Sequence, residues 1–384
     1  MEKKVQFTIV IFLTGIALVL LLGGLRKEKI EKNKIAEQAI AYNIKHKERE
    51  DKINAIEQAI YKDTPGIIVW GDSLTAGSGG EGTNYPDVLQ RLIKTNIYNI
   101  PVVNMGVGGE HTHTIMGRAG SVPFVVDSFT IPKDTSKVEI IIKSSNGNNV
   151  FPLRQGNKGF NPVTINGITG AITIEQSSYT SQEFTYYFNR TESGNPVHVA
   201  DGTIVTSTSW ADYQNYIPIV FMGQNGGWNE NPEELIAQIK SILSMDKWND
   251  KYLVLGLTSG IAESRAVLES AMESEFGDQY INLRKYIVES GLEIVNLEAT
   301  AEDVNAINEG SIPLSLLSDP IHFNSLGYIV IGQAIYDRMM KLGYFNSVIE
   351  LVKERERHYN CFTLYPTKFP LHNQITQKYT CMLP

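Results

Sequence analysis

Cysteine is almost missing from this chain: in 384 residues only Cys361 and Cys381 occur, both near the end. The main body is therefore neither a disulfide scaffold nor a thiolate zinc protein. The tail pair reads equally well as one disulfide or as two free thiols. A basic surplus is also lacking. Lys and Arg number 34 against 42 Asp and Glu, a formal net charge of −8. A chain with no cationic excess to displace phosphate counterions is not expected to bind nucleic acid.

Charge is absent altogether from Val5 to Leu25. About twenty apolar residues at 1.5 Å rise span a hydrocarbon core of ~30 Å, so residues 1–26 are expected to form a transmembrane anchor. A cleaved secretory signal is the alternative, but no small-residue cleavage site follows and no cysteine offers itself for lipid attachment. Arg26, Lys27, Lys29, Lys32 and Lys34 follow, and the positive-inside rule alone would hold that side in the cytoplasm. The chemistry argued below suits the cell exterior, and an extracellular catalytic domain on a single N-terminal span is the expectation. Residues 27–62 lack Pro and Gly, and Ile53, Ile56 and Ile60 recur at helical spacing, which predicts a helical stalk.

What is present begins at Gly66–Trp70, a short apolar run suited to a buried strand. It breaks into Gly71-Asp72-Ser73-Leu74-Thr75-Ala76-Gly77. A serine at a strand-to-helix turn lies at the sheet edge where open α/β folds bind ligands, near helix amides that favour negative charge. A helix N-cap is the plainer reading of such a serine. Far along the chain, Asp319-Pro320-Ile321-His322 puts a carboxylate three residues before a histidine, ahead of an apolar-periodic helix over Leu326–Leu342. In a tight turn Asp319 can hold one imidazole nitrogen and leave the other to accept a serine proton. An Asx-turn with a structural histidine is the alternative.

Two further blocks lie between: Asn104-Met105-Gly106-Val107-Gly108-Gly109-Glu110, and Gly223-Gln224-Asn225-Gly226 after the strand-like Ile217–Met222. With Gly71-Asp72-Ser73-Leu74 and Asp319–His322, these four in order resemble the SGNH (GDSL-type) hydrolases over residues 63–118 and 213–345. The resemblance implies a three-layer α/β/α fold with a parallel sheet. It implies Ser73 as nucleophile, Asp319 and His322 as its acid–base partners, and an oxyanion hole from the Ser73 and Gly109 backbone N–H groups and the Asn225 side chain. No cofactor or metal is implied. One departure is Gly226, where family members often carry an acidic residue. His111 and His113 form an H-x-H, but with no third ligand visible in the sequence a solvated or substrate-facing role is the better reading.

Residues 119–212 separate the second and third blocks. Strand-like runs at Val138–Lys143, Pro162–Ile165, Ala171–Glu175, Phe184–Phe188 and Gly202–Thr208, with turns such as Ser145–Asn149 and Asn166-Gly167 between them, predict an inserted all-β module, a sandwich or barrel. It is expected to overhang the substrate cleft. There Tyr179, Tyr186, Tyr187 and Phe188 would offer stacking faces to a glycan or else form the module's core. Tyr252–Leu257 and Leu292–Leu297 read as further strands, Ser264–Phe276 as a helix, and residues 346–384 as a C-terminal extension without clear period.

The expectation for function is a serine esterase removing O-acetyl groups from a cell-envelope glycan such as peptidoglycan or another wall polysaccharide. Alternatives are a lipase or lysophospholipase, an O-acetyltransferase with the same triad, or an inactive wall-binding protein. Its partners would be an acylated small molecule or polysaccharide, and a membrane held through the N-terminal helix.

Overall fold

A first helix, α1 (Glu2–Asp63), closes with the Thr64 N–H donating to the Ile60 carbonyl. The run that follows, β1 (Ile67–Gly71), is buried at every residue, as an unalternating apolar run must be when both faces of a sheet are covered. The computed structural model describes residues 2–147, 150, 160–178, 181, 183–207, 213–245, 250–260 and 262–363. The chain divides into two compact units, residues 60–350, and residues 1–59 with 351–384.

In the unit 60–350, β1 lies between β2 (Val102–Gly106) and a strand late in the chain, β12 (Ile217–Phe221), both parallel to it. The sheet continues through β13 (Leu253–Leu255) and β14 (Tyr280–Ile281), giving the order β14-β13-β12-β1-β2. The chain leaves β1 toward one edge and later returns to build the other. Between β1 and β12 the connections diverge, and a crevice opens at the carboxyl ends of the strands. Helices cover both faces. On one, α3 (Tyr85–Asn96) packs against α9 (Ser325–Lys341), which also meets α7 (Leu283–Ile294). On the other, α4 (Thr112–Ala119), α5 (Pro232–Leu243) and α6 (Ala262–Phe276) close over Ile68, Trp70, Met105 and Val220. A four-residue helix, α2 (Ser73–Ala76), follows β1 directly, and α8 (Ala301–Asn308) precedes the Asp319–His322 loop.

The inserted segment is a second sheet, antiparallel, with its own core of Phe124, Phe160, Val163, Ile165, Phe188 and Val205 among others. Its strands β3 (Phe124–Val126), β5 (Val138–Ile140), β6 (Ile142–Ser144), β7 (Val163–Ile165), β8 (Ile168–Gln176), β9 (Phe184–Arg190) and β11 (Thr203–Ser207) run in the order β5-β9-β8-β7-β11-β3-β6. The two edge strands are halves of one stretch broken at Ile141, so the sheet curls to near closure. That geometry hides unpaired strand edges. β4 (Phe129–Ile131) and β10 (Val197–Val199) pair separately.

Four expectations bear on the fold, and three of them need correction. First, among the described residues no helix is long and apolar enough to cross a membrane. The side chains of residues 5–8 and 10 lie outside the described set. The part of the uncharged run whose side chains are described from Ile11 onward, Ile11–Leu25, is about fifteen residues, roughly 22 Å at 1.5 Å rise, short of ~30 Å. The single N-terminal span, and the membrane-held extracellular location that rested on it, are not supported. Second, residues 27–62, read as a helical stalk, are helical, and α1 runs unbroken into them from Glu2. Third, Leu292–Leu297 is not the last strand. Its start completes α7, Val295 caps that helix, and Asn296 adopts φ 53°. The edge strand is the two-residue β14, too short to show a period.

Fourth, among the described residues the module is attached at the end of the sheet away from the crevice it was expected to overhang. It leaves the chain after the C-terminal end of α4 and rejoins it before the first residue of β12. In a strand–helix–strand connection that junction falls at the amino ends of the parallel strands, opposite the crevice.

In the unit formed by 1–59 and 351–384, α1 meets α10 (Asn346–Thr363). Arg355 Nε donates to Glu57 at 2.8 Å, and Arg49 Nη2 to the Tyr359 carbonyl at 2.9 Å. The stretch read as a tail without period thus begins as a helix. The Cys361 side chain and Cys381 lie outside the described residues, as do Tyr179, Asn148, Asn149 and Thr208.

Candidate active site

Ser73 stands where β1 ends and α2 begins. A sharp turn there needs a cap, and Asp72 provides it by accepting the Leu74 N–H at 3.0 Å. The turn also needs room. A Cβ on Gly71 would meet the Phe221 carbonyl at 2.6 Å, and one on Gly106 would strike the backbone of Thr75 and Ala76. Both positions therefore admit glycine alone without a backbone shift. Asn104 fastens the turn from β2, its Nδ2 donating to the Thr75 carbonyl at 2.9 Å. The Thr75 hydroxyl bonds Tyr85 Oη at 2.7 Å within the core.

The loop ahead of α9 brings the partners. Leu317 and Phe323 form an antiparallel bridge, and the Ser318 N–H donates to the His322 carbonyl at 2.9 Å. Residues 319–322 are thereby closed into a tight turn. Within it Asp319 Oδ1 accepts the Ile321 and His322 N–H groups, each at 2.8 Å, and Oδ2 lies 2.7 Å from His322 Nδ1. His322 Nε2 lies 3.0 Å from Ser73 Oγ. Tyr328 on α9 donates to the Ser78 carbonyl at 2.7 Å, tying the histidine's helix to the serine's loop. The Asx-turn and the triad are therefore not alternatives here: one carboxylate serves both. These hydrogen bonds, the His322 N–H first among them, hold the Asp319 carboxyl down at about 2. At 47% side-chain exposure its ionised form costs little.

Opposite, Gly109 takes φ 74°, a left-handed conformation open to glycine at no steric cost. Among the described residues the backbone N–H groups of Ser73 and Gly109 donate to no other protein atom. Asn225 differs. Its Nδ2 donates to the Glu110 carbonyl at 3.0 Å and faces Asp72 Oδ2 at 3.3 Å. Of the three groups expected to meet an oxyanion, the two backbone N–H groups stand open, and the Asn225 amide is shared with protein acceptors, more weakly on the Asp72 side. The loop with Gly226 in place of an acidic residue is held by backbone: the Gly226 carbonyl accepts Thr112 N–H at 3.2 Å, and that of Gly227 accepts Thr112 Oγ1 at 2.7 Å.

Three buried charged groups beside the site escaped the sequence reading. Asp72 is 1% exposed, and burial, more than the nearby Glu110 charge, pushes its carboxyl up to about 7. Glu110 and Arg118 form a buried ion pair, 3% and 1% exposed, with N–O distances of 2.6, 2.8 and 3.0 Å. Arg118 alone offered a signal, as the one Lys or Arg in a short helix that is otherwise uncharged apart from the titratable His113.

A cleft of about 780 Å³ adjoins Asp319. Thr258, Ser259, Arg265, Glu302, Asn305 and Glu309 line it alongside Ile312, Leu314 and Phe323. Gln224, next to Asn225, bonds Ser259 across from it. His111 and His113 lie apart in role. His111 precedes α4 as its cap residue, and burial lowers the His113 imidazole against an opposing pull from Glu234. Among the described residues no group of three His, Cys, Asp or Glu could hold a metal ion. Of the aromatic residues weighed for stacking, Tyr186 and Phe188 are buried in the module core, and the Tyr187 ring is covered by Lys137 Nζ at 4.3 Å. No family model matches the chain, and no curated protein or solved structure does either.

Proposed function

We propose that this chain is a serine hydrolase of the SGNH type that cleaves carboxylic esters through an acyl-enzyme. The observation that carries the reading is the His322 imidazole, bridging Ser73 Oγ and the Asp319 carboxylate at 3.0 and 2.7 Å. A serine hydroxyl is a weak nucleophile until a base takes its proton, and a base is effective when a third group fixes its tautomer. Ser73 Oγ attacks the ester carbonyl carbon while its proton passes to His322 Nε2. The negative oxygen that develops is met by the Ser73 and Gly109 N–H groups and by Asn225. Collapse breaks the acyl–oxygen bond, and the leaving alkoxide takes the proton from His322. Water then repeats the sequence on the acyl-enzyme, returning Ser73 and releasing the acid.

For the alcohol side, the cleft next to Asp319 carries hydroxyl, amide and charged side chains. Those polar groups can hydrogen-bond a polyhydroxylated substrate, while Ile312, Leu314, Leu317, Ile321 and Phe323 give the same cleft an apolar wall. On the polar groups we favour an O-acetylated glycan, with a lipid ester as the second reading that the apolar wall supports. The glycan's placement in the cell envelope drew on the N-terminal span and falls with it.

The test is hydrolysis of an aryl acetate by the full chain beside its Ser73→Ala variant, followed by acetate release from O-acetylated polysaccharides and by aryl esters of increasing length. Turnover that depends on Ser73 supports the reading. Equal rates in the two proteins overturn it, and a preference for chains beyond about eight carbons reverses the substrate ranking.

A further inference from the structure

A buried ion pair, Glu110 with Arg118, sits beside the site. Glu110 follows Gly109, and Arg118 lies in the last turn of α4. The pair is bidentate, and Arg118 Nη2 also donates to the Met105 carbonyl at 2.8 Å, with the Gly71 carbonyl at 3.4 Å. Met105 is on β2, and Gly71 is the last residue of β1 before Asp72 and Ser73. The guanidinium lies 5.5 Å from the Trp70 ring centroid. From the other partner, the Glu110 carbonyl accepts Asn225 Nδ2. One guanidinium is thus joined to the three loops that carry the three oxyanion donors: to β1 and β2 directly, and to Asn225 through Glu110.

The energetics point away from a role in stability. Desolvating two charges costs several kcal/mol, and neutral, well-packed replacements for buried pairs are often as stable or more so. Burial pushes the Glu110 carboxyl up, against the pull of Arg118. Arg118 Nη1 is buried with no partner among the described residues, a further cost that a purely structural pair would not need. A charge held in one geometry by five acceptor contacts does, however, define position closely.

We propose that Glu110 and Arg118 are positioning residues whose ion pair sets the oxyanion hole, holding the Asn225 amide and the Ser73 and Gly109 N–H groups in mutual register. This rests on the ester-hydrolase reading for its catalytic meaning, though not for its geometry. The pair touches no substrate. It acts through backbone carbonyls at the ends of β1 and β2 and through the Glu110–Asn225 bond.

The experiment uses the full chain carrying Glu110→Gln together with Arg118→Met, a neutral pair of similar volume. Three quantities are read: the thermal midpoint, kcat and KM on an aryl acetate, and the side-chain amide proton signals of Asn225 by nitrogen-15 NMR. The midpoint establishes that the variant is folded, and the other two quantities are read well below it. kcat should fall on the order of 10²-fold, as when one oxyanion donor is lost, with KM within about twofold. The two Asn225 amide protons should be distinct and slow to exchange in the wild type, and should broaden or exchange rapidly in the variant. Arg118→Lys keeps the charge but cannot reach both Met105 and Gly71. It should give a smaller kcat loss in the same direction, and it serves if the double variant does not fold. Unchanged Asn225 signals in a folded variant overturn the proposal whatever the rate does. If the wild type shows no turnover dependent on Ser73, the hydrolase reading fails instead, and the Asn225 signals alone decide the positioning role.

Discussion

Ser73 Oγ and His322 Nε2 lie 3.0 Å apart although 249 positions separate them in the chain. Each is a hydrogen-bond partner of the other, so neither acts alone. Ser73→Ala and His322→Ala should each lower kcat for an aryl acetate by about 10⁴-fold or more, and the double variant should be no worse than either single one. Additive losses in steady-state rates would mean that the two side chains work independently.

Asp319 binds its histidine by a side-chain oxygen and by backbone amides at once. Asn at 319 keeps an acceptor for the Ile321 and His322 amides but can turn an N–H toward Nδ1. The imidazole proton is then forced onto Nε2, facing Ser73. kcat of Asp319→Asn should fall on the order of 10³- to 10⁴-fold with the thermal midpoint little changed. Because the carboxyl titrates at about 2, the acid limb of the wild-type pH–rate profile should not belong to Asp319. A wild-type acid limb centred near pH 2 would contradict that.

Asp72 has the opposite electrostatics. Its folded pKa of about 7 stands above the ordinary 3.8 because the carboxyl is buried. Between about pH 4 and 7 the unfolded chain has released this proton while the folded one holds it, so the contribution of Asp72 to stability declines as pH rises through that window. The full effect is on the order of 4 kcal/mol. Asp72→Asn, which cannot ionise, should flatten the fall of the denaturation midpoint between pH 5 and 8. A wild-type midpoint that rises across the same range, with the variant parallel to it, would refute this account of the carboxyl.

Gly106 abuts the backbone of α2 so closely that any Cβ must displace it. Gly106→Ala should therefore reduce kcat through movement of Ser73, and Gly82→Ala serves as the comparison. A Cβ at Gly82 meets no atom within 4 Å, though its φ of 90° carries its own strain. Equal activity in the two variants at matched stability would argue against the tight crossing.

The β module joins the sheet at the edge opposite the triad. Replacing residues 122–212 with a short turn should leave kcat/KM on an aryl acetate within a few-fold of wild type, measured at a temperature where both proteins are folded. A loss of 10²-fold or more would show that the module supports the site across the sheet.

Short-range chemistry was legible from the residues. The buried strand before Ser73, the Asp319–His322 turn, the helix after it and most of the module strands follow from apolar period, caps and turn residues acting over a few positions. The two-residue β14, the strands Phe124–Val126, Phe129–Ile131 and Val197–Val199, and the helix that absorbs Leu292 were not legible, because segments so short carry no period and are defined by their neighbours. The stacking role offered to Tyr186 and Phe188 failed for a related reason: alternation along a strand names two faces but not which one meets the core.

What the amino-acid order determined by itself was therefore the local grammar, namely which residue types stand at which turns and how a carboxylate and an imidazole share one loop. Tertiary structure alone decided what those groups meet. The buried states of Asp72, Glu110 and Arg118, the sharing of the Asn225 amide with Glu110 and Asp72, and the side of the sheet on which the module hangs all depend on contacts between segments distant in sequence. Desolvation and hydrogen-bond geometry are properties of the assembled neighbourhood, and no stretch of chain contains its own neighbourhood.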